Sequence, residues 1–197
     1  ICNHPALALK EESIEEDFVS RSSKLQRLEE ILEEVIQAGD RALLFTQFAE
    51  WGHLLQSYLE KRWQCDIPFL HGSTTKTERQ AMVDRFQEDP RGPQIFLLSL
   101  KAGGIGLNLT RANHVFHIDR WWNPAVENQA TDRAYRIGQD NRVMVHKFIT
   151  SGSVEEKIDQ MIQEKSRLAE DIIGSGEDWL GSLEINKLRQ LVTLEEN

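Results

Sequence analysis

IFLLSLKAGGIGLNLT, residues 95–110, opens as a run of apolar side chains and closes as a glycine loop. The run Ile95–Leu98 is short and unbroken, as suits a strand covered on both faces, and it is far too short to cross a bilayer. Gly103, Gly104 and Gly106 follow directly and would let backbone N–H groups approach a phosphate closely. The loop lacks the GK[ST] ending of a P-loop and the GxGxxG spacing of a dinucleotide fingerprint. A tight turn where a helix packs closely on a sheet accounts for the same glycines.

Outward from this stretch, strand-like and helix-like segments alternate. From Ser22, apolar residues recur at helical spacing (Leu25, Leu28, Leu32, Val35, Ile36), with Glu pairs on the other face and Gly39 just past the end as a stop. Ala42–Thr46 reads as a buried strand, Ala49–Arg62 as a helix and Ile67–Leu70 as a strand. The capping box Thr75–Glu78 opens a helix that Pro90 ends. A strand over His114–Asp119 leads to Arg120, Trp121, Trp122, Asn123 and Pro124, and Pro124 suits the first turn of a helix reaching about Arg136. Val143–Ile149 reads as the last strand, and a second capping box, Ser153–Glu156, opens a long helix to about Ile173. Such alternation predicts an α/β fold, a mainly parallel sheet wrapped on both faces by right-handed crossovers. Functional loops then lie at the carboxyl ends of the strands, where Gln47, His71–Ser73, Ser99–Asn108 and Arg120–Asn123 fall.

The chain has 197 residues, 40% hydrophobic and 28% charged, within ordinary globular composition and long enough to bury a real core. Its two cysteines, Cys2 and Cys65, are too few for a disulfide framework and point to a reducing, intracellular compartment. Cys65 reads as a small core residue rather than a nucleophile. No secretory signal is visible and residue 1 is Ile, so the sequence reads as a piece of a longer polypeptide. The net charge of −9 argues against a nucleic-acid partner only until it is resolved along the chain. Residues 1–60 carry five basic and twelve acidic side chains, residues 61–150 thirteen and nine, and residues 151–197 five and eleven. An anion site therefore belongs in the central segment.

The residue types there permit phosphate chemistry. On a helix running to Arg136, Gln129, Arg133 and Arg136 fall at i, i+4 and i+7 and share one face, and guanidinium forks suit the phosphate oxygens of a phosphoryl-transfer transition state. A solvated charged face is the alternative reading. There is no Walker A lysine, no DE-x-x carboxylate pair after a strand and no Ser/His/Asp or Cys/His set. An arginine fork without a phosphate cradle looks like half of a shared active site. His114 and His117, three apart on a strand, face opposite ways, so metal ligation is not expected. The adjacent Trp121 and Trp122 rings must also face different ways.

RALLFTQFAEW (41–51), HGSTTKTERQ (71–80), LLSLKAGGIGLNLTRANHVFHIDRWWNP (97–124) and ENQATDRAYRIGQ (127–139) resemble, in order, motifs of the second RecA-like lobe in Swi/Snf-type helicase-like ATPases of superfamily 2. The resemblance spans about residues 1–175, since ICNHPAL (1–7) is similar to the family's approach to this lobe. It implies a RecA-like α/β/α lobe over residues 22–152, preceded by a lead-in segment (1–21) and followed by a brace helix and C-terminal helical appendage (153–197). A first lobe of the same polypeptide, carrying Walker A and B, would hold ATP and Mg2+. The resemblance makes Arg133 and Arg136 the arginine fingers, and Gln129, Gly104 and Gly106 part of the nucleotide pocket. Gln47, Ser73, Ser99, Lys101, Trp121 and Asn123 would contact or lie near double-stranded DNA, read without sequence preference. The family's STRAGG is SLKAGG here, keeping the positive charge at Lys101, and Tyr135 stands where His is frequent. The implied protein is an ATP-dependent DNA translocase or remodeller, acting on a DNA-bound complex in cytoplasm, nucleoid or nucleus and not on membranes. Alone, this lobe would not hydrolyse ATP. A non-enzymatic docking module that keeps the fold is the alternative.

Overall fold

The computed structural model describes residues 2–11, 14, 17–100, 107–134 and 142–169. Five strands form one parallel sheet: β1 (Ala42–Thr46), β2 (Phe69–Leu70), β3 (Ile95–Ser99), β4 (His114–His117) and β5 (Met144–Lys147), in the order β2-β3-β1-β4-β5. The register sets Ala42 beside Ile95 and His114, and Thr46 beside Ser99, so β1, β3 and β4 end together. β1 and β3 are buried along their whole length, as continuous apolar runs require.

Two apolar layers cover the sheet. On one face, Leu25, Leu28 and Leu32 of α2 (Ser23–Gln37) and Trp51, Leu55 and Leu59 of α3 (Ala49–Trp63) pack with Leu44, Leu97 and Phe116. On the other, Phe86 of α4 (Lys76–Glu88) and Ala130 of α5 (Pro124–Thr131) pack with Phe45, Leu98 and Val115. A short α1 (Pro5–Leu9) precedes α2, and α6 (Val154–Ala169) follows β5, burying Ile158 and Ile162. The expected α/β architecture is present, with the predicted strands in their places and β2, β4 and β5 shorter than read.

Local signals act as expected at most helix ends. Ser22 Oγ accepts from Leu25 N, and Gly39 follows α2 at φ 76°, a conformation glycine adopts without strain. Thr75 and Glu78 form the complete capping box of α4. At α6, Ser153 Oγ accepts from Glu155 N at 3.1 Å, while the Glu156 carboxylate takes Gly152 N at 2.7 Å in place of the Ser153 amide. The expected end of this helix near Ile173, like the C-terminal appendage, lies outside the described residues.

Cys65 departs from its expected place in the core. It is exposed, because α3 terminates on Gln64 in the left-handed conformation and the chain turns outward there. Partial desolvation and the nearby Asp66 and Glu60 carboxylates raise its thiol pKa, which disfavours the thiolate.

Candidate functional site at the carboxyl edge of the sheet

Where β1, β3 and β4 end, three connections converge. Thr46 is fully buried at the last position of β1, and its hydroxyl donates to Asp119 Oδ2 at 2.5 Å. The other oxygen, Oδ1, accepts the backbone N–H of Gln47 at 2.9 Å. Gln47 also turns its side-chain amide inward, Nε2 donating to the carbonyl of Arg120 at 3.1 Å. Burial pushes Asp119 up to about 6, against the pull of Thr46, Gln47, Asn3 and Lys24.

Arg120, the next residue, reaches the opposite way. Its guanidinium lies 2.6 Å from Glu127 Oε2 in the first turn of α5 and 2.7 Å from Asp159 in α6, and Lys147 of β5 approaches Glu127 at 3.5 Å. Glu127 is 1% exposed and its second oxygen accepts Trp121 N at 3.0 Å. Trp121 packs against the α4/α5 core, while Trp122 lines a groove of about 580 Å³ with Cys2, Gln47, Phe48 and Ile158. The two rings therefore face different ways, as expected of neighbours at a strand end. Asn123 caps α5, Oδ1 accepting from Ala125 N at 3.0 Å, and Pro124 fills the first turn.

The helix expected to carry Gln129 and Arg133 on one face is shorter than read. α5 ends at Thr131, not near Arg136, and the following amides bond three residues back, Arg133 N to Ala130 O and Ala134 N to Thr131 O. The turn is also held from outside the helix, Leu109 N donating to the Arg133 carbonyl at 3.0 Å. Gln129 is consequently exposed and Arg133 buried at 3% exposure, so the two do not share a helix face. Ala130 and Ala134 lie buried in the core, as their size suggested. Ser99 is buried at the end of β3; Ser73 is exposed, its hydroxyl 2.9 Å from His71 Nδ1. Lys101, Gly104, Gly106 and Arg136 lie outside the described residues.

Sequence reading placed Arg120 in a functional loop without a partner and missed Asp119, Glu127 and Asn3. An adjacent acid and base at a strand end was the available signal. His114 faces away from His117, contacting His146 and Asp40 at 3.2 Å each, whereas His117 Nε2 lies 2.9 Å from the Thr131 hydroxyl. Among the described residues, no group of three His, Cys, Asp or Glu side chains comes together to hold a metal, and no helix is long and apolar enough to cross a membrane.

A parallel sheet covered on both faces, with polar loops gathered at one edge, defines a RecA-like lobe of the helicase type. Residues 23–138 match the helicase conserved C-terminal domain, and the chain belongs to that family, with its likeness to the C-terminal lobe of Snf2-type ATPases. It is 50% identical over 194 residues to YwqA of Bacillus subtilis, named for an inferred ATP-dependent helicase/translocase activity, covering 98% of this chain and 21% of that protein. It is 39% identical over 160 residues to the chromatin-remodeling ATPase INO80 of Schizosaccharomyces pombe, covering 81% of this chain and 10% of the relative. The Sulfolobus solfataricus SWI2/SNF2 ATPase core in complex with double-stranded DNA superposes with a TM-score of 0.79 at 43% identity, covering 99% of this chain and 40% of that one. The C-terminal domain of that ATPase gives 0.76 at 42% identity, covering 99% and 77%. The chain thus spans about a fifth or less of the curated relatives it matches.

Proposed function

We propose that this chain is the second lobe of an ATP-dependent translocase on double-stranded DNA. The supporting observation is the likeness, over 99% of the chain, to a SWI2/SNF2 core whose own structure contains double-stranded DNA. The division into lead-in (1–21), lobe (22–152) and brace with appendage (153–197) belongs to the same proposal.

In this reading the Mg2+-bound ATP substrate sits on the first lobe of the same polypeptide. The residue types suit that division: guanidiniums such as those of Arg133 and Arg136 can pair with phosphate oxygens, and the resemblance adds Gln129, Gly104 and Gly106 to the same pocket. Arg133 is held by the turn after α5, whose first helical turn is pinned by the Arg120–Glu127 pair. On the DNA side, Gln47, Ser73, Ser99, Lys101, Trp121 and Asn123 come at or after their strand ends in sequence and would contact or lie near backbone phosphates without reading sequence. A DNA-bound protein complex would be the object moved.

The test uses the full-length protein. Fingers of this kind are worth about 10³ to 10⁵ in rate, so Arg136→Ala should abolish DNA-stimulated ATP hydrolysis while ATP still binds, and residues 1–197 alone should be inactive. Turnover by Arg136→Ala at the unaltered rate would remove the finger assignment.

A further inference from the structure

Asn3 occupies a place that only a carboxamide fits. It is 4% exposed, and its Nδ2 donates to Asp119 Oδ2 at 3.1 Å while its Oδ1 accepts from Lys24 Nζ at 3.1 Å. Lys24 in turn donates to both oxygens of Glu155 at 2.7 Å and to the Ile118 carbonyl at 2.9 Å. Asp119, Lys24 and Glu155 are all buried, so one amide bridges a buried carboxylate and a buried ammonium, donor toward the negative group and acceptor toward the positive. A carboxylate here would face Asp119, and an aliphatic side chain would take one hydrogen-bond partner from each neighbour. The backbone of this segment is tied separately, Ser22 Oγ to Asn3 O at 2.7 Å and Thr150 Oγ1 to Cys2 O at 3.0 Å. Removing the amide therefore need not release the segment. Asp119, which Asn3 holds, is the group that fixes the backbone N–H of Gln47.

We propose that Asn3 is a positioning residue for the DNA-gripping corner, linking the lead-in segment and the start of α6 through Asp119 to Gln47. Residues before β1 and after β5 thereby reach the carboxyl edge through one carboxamide. The segment that would arrive from the first lobe is thus coupled to the residue that would hold DNA. The functional half of this inference rests on the translocase reading; the geometric half does not. The charged and polar groups facing Asn3 are Asp119 beyond β4, Lys24 of α2 and Glu155 of α6, with Thr46 and Gln47 at the end of β1.

The experiment compares full-length protein with its Asn3→Leu and Asn3→Asp variants by hydrogen exchange and by ATP hydrolysis with and without double-stranded DNA. Losing the donor to Asp119 should speed exchange of the Gln47 amide by about tenfold with β3 protection unchanged. The ratio of DNA-stimulated to DNA-free hydrolysis should fall roughly fivefold with the DNA-free rate retained. In Asn3→Asp, the facing carboxylates at positions 3 and 119 can share one proton, so acidification should restore the ratio, because that shared proton replaces the lost N–H donor. Asn3→Leu should show no such rescue. Unchanged Gln47 exchange, or parallel loss of β3 protection and the DNA-free rate, overturns the proposal. Faster Gln47 exchange in a protein that DNA never stimulates supports the clamp and counts against the translocase reading instead.

Discussion

Asp119 and His117 stand two residues apart, both buried, and titrate in opposite senses. The Thr131 hydroxyl donates to the Glu127 carbonyl at 3.1 Å, so it accepts from His117, which places the ring proton on Nε2. Nδ1 has no hydrogen-bond partner among the described residues, and burial, with Lys147 and Arg120 nearby, drives the imidazole down to about 3. Its neutral form contributes stability that is present above about pH 6.5 and is lost as pH falls toward 3. Asp119 is raised from 3.8 to about 6, so its contribution is full below 3.8 and lost as pH rises through 6. Between about pH 6 and 4 the two slopes, each about 1.4 kcal/mol per pH unit, oppose one another. His117→Gln should therefore make the chain gain stability relative to wild type on acidification through this window, and Asp119→Asn should make it lose stability faster. Urea unfolding at stepped pH reads both slopes; parallel curves for all three proteins would refute the assignment.

Among the elements, α3 lies unusually close to β2. A Cβ on Gly52 would run into the ring of Phe69, which is 2% exposed and cannot swing into solvent. Gly52→Ala gains about 1 kcal/mol of helix propensity and forces a core ring aside at about 1–3 kcal/mol, so a net loss of about 1 kcal/mol is expected. Chemical denaturation measures it, and a stabilised variant would show that β2 yields freely. The alternation of elements was legible because each depends on local signals: continuous apolar runs for β1 and β3, Ser22 and the Thr75–Glu78 box for helix starts, Pro124 at a first turn. The end of α5 was not, because no glycine, proline or cap residue marks it: the amides of Arg133 and Ala134 bond three residues back, and the Arg133 carbonyl meets Leu109 N, 24 positions away in sequence. The Asn3–Asp119 contact, separated by 116 positions, left no periodic trace either. The motifs nominate candidate site residues from the sequence, whereas the charges that hold Gln47 and α5 in place could be found only by folding the chain.

For the whole molecule, the net charge of −9 makes the direction of DNA approach a matter of distribution. The exposed Glu33 and Glu34 and the other acidic side chains of α2 would repel DNA from one face, while three of the four strand-end segments, with Lys101 in one of them, come from the net-positive central segment of the sequence. α3 leaves β1 at the carboxyl edge, so Lys61 in its last turn lies toward the opposite edge of the sheet. These positions allow the same charge reversal to be made at two ends of one lobe. Each phosphate neutralised contributes about 0.9 to the dependence of log affinity on log salt for duplex DNA. In the full-length protein, Lys101→Glu should lower that slope by about 1 and weaken binding similarly for unrelated sequences. Lys61→Glu should leave the slope unchanged, although net charge shifts by the same amount. Equal loss in both variants would mean that DNA responds to total charge rather than to the carboxyl edge. An unchanged slope in Lys101→Glu alone would remove that lysine from the DNA contact while leaving Gln47 and the fold as they stand.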